Sequence, residues 1–288
     1  MSSVVITKSL AKKLIPSRSV NSKKGDNGIV LVAGGSKFYH GAPVLASMAS
    51  LRTGADLVYS AIPRSIIGPV RSYSPAIIAL PLPDEKLTVG SAGRLVAMMP
   101  KKCDSAAIGM GMSIARPEAA ITLVKKLTDQ GTSLVLDASM LIPEILGSIR
   151  GTNCVVTPHA GEFKRLFGIE VGNTEIERIK STAKMAKENE ITILLKGPTD
   201  VVSDSKQTGL NRIHNCAMTV GGTGDVLSGI VAALVAKKMK PFDASLVGVY
   251  LNGIAGNLAY EKVGLHMVAT DLVDHLAQAM KQFDVIGN

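Results

Sequence analysis

Residues 219–229 read TVGGTGDVLSG and lead directly into an apolar helical stretch. The glycines of such a turn let the backbone approach a ligand closely, and the free N–H groups of the next helical turn favour an anion. Asp225 ends the turn, and its carboxylate would repel a bound phosphate unless it had a task such as accepting a proton. The pattern therefore predicts a phosphoryl-transfer site with Asp225 as general base. The N–H groups of Gly222, Thr223 and Gly224 would stabilise the transferring group.

A simpler interpretation of the same residues is a tight turn that caps a helix. A cap requires one side-chain oxygen and at most one permissive residue, whereas this turn contains Gly221, Gly222 and Gly224. The turn also differs from two familiar phosphate loops: Val226 and Leu227 stand where the nucleoside-triphosphate loop needs lysine, and the Gly-x-Gly-x-x-Gly spacing of dinucleotide-binding proteins is not present in it. The turn therefore indicates a different class of phosphate-binding protein.

The composition is that of a globular protein with an aliphatic core. The chain has 288 residues, of which 46% are hydrophobic and only 3% aromatic, so Ala, Val, Ile, Leu and Met must fill the interior. No segment has the composition of a linker, because the proline-rich stretch 74–84 contains a predicted strand. We expect a single domain over residues 1–288.

The net charge of +9 raises the question of nucleic-acid binding. Lysine and arginine occur singly or in pairs with few interleaved aromatic residues, which favours a solvated surface that attracts small polyanions. A basic nucleic-acid-binding protein remains an alternative, and it would bind DNA or RNA in a salt-sensitive way without needing Asp225.

Cysteine usage and hydropathy indicate the compartment. Cys103, Cys154 and Cys216 lie far apart without Cys-x-x-Cys spacing, which argues against a disulfide framework or a zinc site. The N-terminus lacks a signal-peptide pattern, and the longest apolar stretch, 230–236, is too short to span a bilayer. We expect a cytoplasmic protein with no membrane role.

Short β-branched stretches alternate with longer helical patterns along the chain. The predicted strands are 29–33, 57–62, 76–80, 106–108, 134–136, 155–156, 191–195 and 201–202. Predicted helices include one through Ala42 and Ala49, one opened by a capping box of Thr174 and Glu177, and one over 270–280. This alternation predicts an α/β fold, a mostly parallel sheet with helices on both faces, with ligand sites at the carboxyl ends of the strands.

Several turns at those strand ends carry candidate functional residues. Residues 34–43, GGSKFYHGAP, would form a mobile lip over a ligand or an ordinary surface loop. Asp137 follows strand 134–136, where it would hold Mg²⁺ through water or cap the next helix. Lys196 leaves strand 191–195 and would meet a phosphate or only turn a hairpin.

The stretch TPHAGEF at 157–163 holds the candidate histidine. Thr157 and Pro158 match a helix cap and a first helical position, which would place His159 in the first turn with its imidazole toward the strand ends. A lone histidine is more often structural, but Glu162 three positions later and the loop location favour a functional role here.

In this order, the stretches KGDNGIVLVAGGSKFYHGAP, AIGMGMS, VLDAS, TPHAGEF, LLKGP and GGTGDVLSG resemble the NAD(P)H-hydrate dehydratases of the ribokinase-like superfamily. The resemblance implies a ribokinase-like three-layer sandwich. It also implies a hydro-lyase that phosphorylates the hydroxyl of the S-form of NADH hydrate or NADPH hydrate from ADP or ATP, with Mg²⁺ bridging the donor phosphates. Loss of phosphate then restores NAD(P)H, and the family analogy favours ADP as the donor.

The resemblance further implies the residues of the site. Contacts to the hydrate are implied for Ala42, Gly111, His159 and Asp225. Contacts to the nucleotide are implied for Lys196, Gly197, Pro198, Thr199, Asp200 and Gly224. The metal ligands stay unassigned, with Asp137 and Glu162 as the candidates.

Three stretches depart from the family pattern. Residues 109–113 read GMGMS instead of Gly-Pro-Gly-Leu-Gly, 137–139 read DAS instead of Asp-Ala-Asp, and 54–56 read GAD instead of Gly-Ala-Gly. The departing residues are Met110, Met112, Ser113, Ser139 and Asp56. Too few residues precede the first motif for the epimerase domain that is often fused N-terminally in the family. We therefore expect a separate epimerase as partner, and a homo-oligomer.

A small-molecule kinase of the same fold, such as a hydroxyethylthiazole kinase, is the nearest alternative. It shares the Gly-Thr-Gly-Asp turn but releases a stable phosphoester. The two enzymes therefore differ in their products rather than in this motif.

Overall fold

The eight predicted strands and two further ones form one ten-stranded sheet in the computed structural model, which describes residues 3–287. Within those residues the strands are β1 (Ser3–Val5), β2 (Arg18–Ser19), β3 (Ile29–Ala33), β4 (Leu57–Pro63), β5 (Ile78–Leu82), β6 (Ser105–Ile108), β7 (Ser133–Leu136), β8 (Cys154–Val156), β9 (Thr192–Leu195), β10 (Asp200–Ser203), β11 (Thr208–Asn211) and β12 (Ile286–Gly287). The α-helices are α1 (Lys8–Leu14), α2 (Gly41–Arg52), α3 (Ile67–Tyr73), α4 (Val89–Met98), α5 (Pro117–Asp129), α6 (Leu146–Ile149), α7 (Ala160–Phe167), α8 (Glu175–Asn189), α9 (Thr223–Ala236), α10 (Pro241–Val263) and α11 (Ala269–Lys281).

The strand order is β1-β11-β10-β9-β8-β7-β6-β3-β4-β5, and β2 pairs separately with β12. All neighbours in the large sheet run parallel except β10, which is antiparallel to both β9 and β11. The chain passes from β3 to its neighbour β4 and then to β5. Strand β6 lies on the other side of β3, so the strand order reverses at β3. Such a reversal opens a crevice at the carboxyl edge of a parallel sheet.

Helices cover both faces of the sheet because its central strands are apolar on both sides. On one face, alternate residues such as Val30 and Val32 pack with α2, α9, α10 and α11. On the other, Ile29, Leu31 and Ala33 pack with α4, α5, α7 and α8. The predicted three-layer α/β architecture is confirmed.

All eight predicted strands are present, most of them within two residues of the expected ends. β5 runs over 78–82 instead of 76–80, because Ser74 ties back the chain: its hydroxyl accepts a bond from the Ala76 N–H at 3.2 Å. Pro81 is tolerated since β5 is an edge strand. The strands β1, β2, β11 and β12 were not predicted, and β11 reads TGLN, which has no apolar alternation.

The predicted capping box at Thr174 and Glu177 is confirmed, as is the last helix. No helix within residues 3–287 combines the length and apolar character required to cross a membrane.

Helix α9 is buried from Val226 to Ala236 and lies across the sheet. It packs against α2 through a glycine: a Cβ added at Gly229 would lie 2.2 Å from the Ala46 carbonyl oxygen. The Ser50 hydroxyl also donates to the Gly229 carbonyl at 2.9 Å. This close approach of two backbones fixes where α9 begins, and therefore where the glycine-rich turn lies.

Gly229→Ala should destabilise the protein by about 1–3 kcal/mol, because the added methyl must force α2 away from α9. The free energy of unfolding from urea titration measures this. Gly93→Ala is the matched control: Gly93 lies inside α4, and only the flexible Lys126 side chain comes within 4 Å of an added Cβ, at 3.8 Å, so its change should be neutral or slightly stabilising. Equal stability of the two variants would contradict the proposed close packing.

Candidate active site

The glycine-rich turn meets the carboxyl edge of the sheet at the N-terminus of α9. Gly222 is the N-terminal flanking residue of the helix, with φ 99°, and a Cβ there would lie 2.7 Å from Leu45 Cδ1 and 2.8 Å from Ala269 Cβ. Glycine is therefore required by both conformation and space. The helical ladder begins with Val226 N–H donating to the Gly222 carbonyl at 3.1 Å, so the preceding N–H groups face away from it toward the edge of the sheet.

Lys196 leaves β9 and lies beside this N-terminus. A Cβ added at Gly224 would lie 3.4 Å from Lys196 Nζ. Nζ donates to Asp137 Oδ1 at 3.0 Å and lies 3.7 Å from Glu162 Oε2. Burial alone would lower the pKa of Lys196, but the nearby carboxylates raise it above its usual value, so the side chain is a fixed cation.

Asp137 is buried at the end of β7 and both of its oxygens are engaged. Oδ1 accepts from Lys196 and from the Ala138 N–H at 2.9 Å, and Oδ2 accepts from the Ser228 hydroxyl at 2.8 Å. Ser228 lies on α9, one helical turn after Asp225. The carboxylate thus joins two strand ends to the helix that carries the glycine-rich turn.

Asp225 is half-buried beside these charges, and no described residue donates a hydrogen bond to its carboxylate. Burial and the neighbouring Asp137 carboxylate raise the pKa of Asp225 to about 7, although Lys196 acts in the opposite direction. A carboxyl group with a pKa close to the working pH, and with no internal partner, is suited to accept a proton.

A cavity of about 440 Å³ opens on the Lys196 side of the turn. Of the residues predicted to contact the nucleotide, Lys196, Gly197, Pro198, Asp200 and Gly224 line it. The remaining residue of the 196–200 stretch, Thr199, does not line it, and its hydroxyl donates to Glu175 Oε2 at 2.9 Å.

β9 and β10 form the predicted hairpin, and Asp200 closes the turn between them. Its carboxylate accepts from the Gly197 N–H at 3.1 Å and from Asn211 Nδ2 at 3.0 Å. Burial raises the pKa of Asp200 despite these bonds. Asp200 therefore shapes the wall of the cavity by closing the turn.

The residues predicted to contact the hydrate lie on the neighbouring turns. Gly111 has φ 62°, and a Cβ there would be 2.7 Å from Tyr39 Cβ and 3.1 Å from Ala42 Cβ. The structure therefore brings Gly111, Ala42 and the 34–43 turn together. Thr223 and Gly224 line the 440 Å³ cavity, whereas Asp225 does not.

The predicted position of His159 in the helix is wrong. His159 is the N-cap of α7, not a residue of its first turn, and its Nδ1 accepts from the N–H groups of Gly161 and Glu162 at 3.0 and 3.3 Å. Thr157 is buried and bonds back to the Leu136 carbonyl instead of capping. Because Nδ1 accepts, the neutral ring carries its proton on Nε2, which lies 3.5 Å from Glu162 Oε2.

The departures from the family pattern have structural roles. Ser139 Oγ donates to the Gly109 carbonyl at 2.9 Å, and Met110 and Met112 are buried. Asp56 precedes β4, at the opposite edge of the sheet, and accepts bonds from Arg18, Gly25 and Asn27. The Ser113 side chain forms no hydrogen bond with a described residue, and its backbone carbonyl accepts from the Leu87 N–H at 2.8 Å.

Sequence reasoning missed the far wall of the cavity. This wall consists of Ile213, His214, Asn215, Cys216, Met218 and Thr219 before α9, and Val249, Asn252 and Gly253 of α10. One signal was available: Asn252 interrupts the apolar run LVGVYLNGIAG. The segment before α9 carried none, because its position depends on packing: a Cβ at Gly253 would lie 2.0 Å from the Ile213 carbonyl oxygen.

A doubly covered parallel sheet with a glycine-rich helix N-terminus at its carboxyl edge defines a ribokinase-like α/β protein. The sequence model of the family described as NAD(P)H-hydrate dehydratase matches residues 30–278, and the chain belongs to this family. Two curated relatives, both named ADP-dependent (S)-NAD(P)H-hydrate dehydratase, come from Nitrosopumilus maritimus and Cenarchaeum symbiosum. The first is 51% identical over 99% of this chain and 100% of its own length, and the second 52% identical over 95% of each.

A solved structure has the same fold. The ADP/ATP-dependent NAD(P)H-hydrate dehydratase from Bacillus subtilis, co-crystallised with ATP/Mg²⁺, is 25% identical with a TM-score of 0.84, over 99% of this chain and 100% of that one.

Asp137→Asn should shift the pKa of Asp225 downward. Burial raises this pKa most, the Asp137 carboxylate is the second cause, and the substitution removes that charge and releases Lys196. Carboxyl-carbon NMR titration measures the shift, with Asp225→Asn identifying the signal. Asp129→Asn, at the exposed end of α5, is the control and should leave the titration in place. An unchanged or higher pKa in Asp137→Asn would contradict the charge arrangement described here.

Proposed function

We propose that the protein is an ADP-dependent dehydratase of the S-form of NADH hydrate and NADPH hydrate. The observation that carries the proposal is Asp225: a carboxyl group with a pKa of about 7 and no internal partner, at the N-terminus of a helix beside a nucleotide-sized cavity. The 51% and 52% identical relatives support the same substrate and donor.

The donor phosphates would lie between Lys196 and the N–H groups of Thr223 and Gly224. Lys196 is held protonated by its carboxylate neighbours, and it is adjacent to Gly224 in the cavity wall. Positive groups already in place lose no reorganisation energy when the phosphoryl group moves. We propose ADP as the donor, in line with the names of the two relatives.

The reaction would proceed in two steps. Asp225 takes the proton of the hydrate hydroxyl, whose oxygen bonds to the terminal phosphorus of ADP while the bond from that phosphorus to the bridging oxygen breaks, releasing AMP. In the second step the carbon–oxygen bond to phosphate breaks and the neighbouring ring carbon loses a proton, which restores the double bond of NAD(P)H. The sum is hydrate and ADP to NAD(P)H, AMP and phosphate.

Mg²⁺, when bound, would neutralise the donor phosphates. Asp137 has both oxygens engaged, whereas Glu162 accepts from the His159 N–H and approaches Lys196 through Oε2. We therefore propose that Glu162, through Oε1, would be the side chain that helps to hold the ion beside the donor phosphates. Within residues 3–287 no cluster of three or more His, Cys, Asp or Glu side chains has the geometry to hold a metal.

We also propose a homo-oligomer in the cytoplasm, supplied by a separate epimerase. Exposed apolar side chains at the corner of α10 and α11, namely Tyr260, Leu265 and Val268, support an intersubunit contact. The cysteine thiols are unpaired, which suits a reducing compartment. An enzyme that accepts the S-form needs an epimerase if the other form is to be repaired.

Asp225→Asn should lower the rate of NADH recovery from its hydrate about a hundredfold or more, because the general base is lost while the shape is kept. Absorbance of reduced nicotinamide, with ADP and Mg²⁺ present, measures the rate. ADP binding should persist, and Asp129→Asn should react normally. A phosphorylated hydrate that accumulates in the unmodified protein would favour the kinase alternative, and near-normal turnover of Asp225→Asn would exclude this base.

The pH dependence of kcat/KM should follow the ionisation of Asp225. The base must be ionised and its pKa is raised to about 7, so the rate should rise about tenfold per pH unit below that value and level off above it. Initial rates between pH 5.5 and 8.5, at saturating ADP, test this. A profile already flat from pH 5.5 would mean that no group with such a pKa controls the reaction.

A further inference from the structure

The turn that follows Asp137 contains a strained residue. Ala138 has φ 49°, in the left-handed region that residues other than glycine rarely adopt. It begins a single helical turn, directly after the carboxylate that binds Lys196 and Ser228. A non-glycine residue keeps such a conformation only where neighbouring groups hold it. The groups that hold Ala138 therefore also affect the orientation of Asp137.

The peptide before Ala138 is anchored to the sheet and to the carboxylate. The Ala138 N–H donates to Asp137 Oδ1 at 2.9 Å, and the Asp137 carbonyl accepts from the Met140 N–H at 3.1 Å. That carbonyl oxygen lies so close to Gly109, the residue after β6, that no Cβ would fit there. This half of the turn is thus fixed from the side of the sheet.

The carbonyls after the strained residue are anchored to helix α7. Arg165, an exposed residue of α7, donates from Nη2 to the Ala138 carbonyl at 2.6 Å and from Nε to the Leu141 carbonyl at 2.9 Å. The Ala138 carbonyl also accepts from the Leu141 N–H at 3.2 Å within the turn. One planar guanidinium therefore ties both ends of segment 138–141 to a different element of the fold.

The same helix contacts the charged residues of the site. Glu162 lies in α7 three positions before Arg165, and its Oε2 is 3.7 Å from Lys196 Nζ. Lys196 in turn binds Asp137. Helix α7 thus approaches the ion pair of Lys196 and Asp137 through a carboxylate and holds the backbone after Asp137 through a guanidinium.

We propose that Arg165 is a positioning residue of the dehydratase site, an inference that rests on the function proposed above. Its two hydrogen bonds keep Ala138 left-handed. The left-handed turn directs the Asp137 carboxylate toward Lys196 and Ser228. Rotation of Ala138 to a right-handed φ would twist the peptide whose N–H bonds Asp137 Oδ1. Asp137 would then leave Lys196, and the lysine would no longer be fixed beside the N-terminus of α9.

Direct contact with the hydrate is the alternative role for an exposed arginine. Arg165 lines a cavity of about 370 Å³ together with Arg116 and Ser139. Two of its guanidinium nitrogens are already engaged by backbone carbonyls, which favours positioning. The two roles differ in their kinetics, because loss of a ground-state contact raises KM whereas displacement of the reacting groups lowers kcat.

Arg165→Gln should lower kcat for NADH recovery by about ten- to hundredfold, since a small displacement of charges at the site has an effect of that size. KM for the hydrate should stay nearly unchanged. Arg165→Lys should recover part of the loss, because an ammonium can still donate to one of the carbonyls. Lys164→Gln is the matched control: Lys164 is the preceding residue of α7, is also exposed and pairs with Glu170, so this variant should react normally.

A second substitution separates positioning from the loss of a positive charge. Glycine adopts a left-handed φ without strain, so it needs no guanidinium to hold it. Ala138→Gly added to Arg165→Gln should therefore raise kcat by about fivefold or more, the effect of removing that strain. Lys238→Gly in the same background is the control, because Lys238 is also left-handed, with φ 70°, but follows the C-terminal end of α9. It should recover nothing.

Carboxyl-carbon NMR titration provides a readout that needs no substrate. Burial, then the Asp137 carboxylate, raises the pKa of Asp225 to about 7, and Lys196 lowers it. A displaced Asp137 would raise this pKa less, so the pKa of Asp225 in Arg165→Gln should be lower than in the unmodified protein. The Lys164→Gln control should titrate unchanged.

Three results would overturn the inference: an unchanged kcat and an unchanged pKa of Asp225 in Arg165→Gln, a rise in KM for the hydrate alone, or a loss of kcat that Ala138→Gly does not relieve. Failure of the proposed function has a different signature, namely no NADH recovery by the unmodified protein with any nucleotide. The titration of Asp225 would then still show whether Arg165 holds Asp137 in place.

Discussion

The ion pair of Lys196 and Asp137 lies where β9 and β7 end and α9 begins. Asp137 also accepts the Ser228 hydroxyl, so one carboxylate fixes two strands and the helix with the glycine-rich turn. The pair is buried, and removing Lys196 would leave the Asp137 carboxylate buried without a counter-ion. The position of Ser228 on α9 and the pKa of Asp225 both depend on it.

Burial and the carboxylates around Lys196 together explain why Asp225 is a weak acid. Burial raises its pKa most, and Asp137 and Glu162 raise it further while Lys196 lowers it, so Asp225 ionises only near neutral pH. A polyphosphate that enters such a site needs further positive charge. The N-terminus of α9 and a divalent cation carried by the phosphates would supply it, which agrees with the engagement of Asp137 by protein donors.

The cavity combines two kinds of constraint. One end combines the N-terminus of α9 with Lys196, an arrangement that suits an anion. The other end is apolar and depends on α10, whose Gly253 and Gly256 let the segment before α9 lie against the helix. The charged and apolar parts of the cavity therefore come from different elements, and both are held by the packing of α9 and α10 in one core.

The sequence by itself determined the α/β class, eight of the twelve described strands to within two residues, and the glycine-rich turn, because hydrophobic periodicity and glycine spacing act over a few neighbouring residues. Strand β11 has no such pattern, and the N-cap at His159 competed with an equally plausible one at Thr157. Only the tertiary structure decided which charges meet: Lys196 and Asp137 are 59 residues apart and Ser228 and Asp137 are 91 apart. Local sequence cannot specify such contacts, since they exist only after the strands and helices have packed.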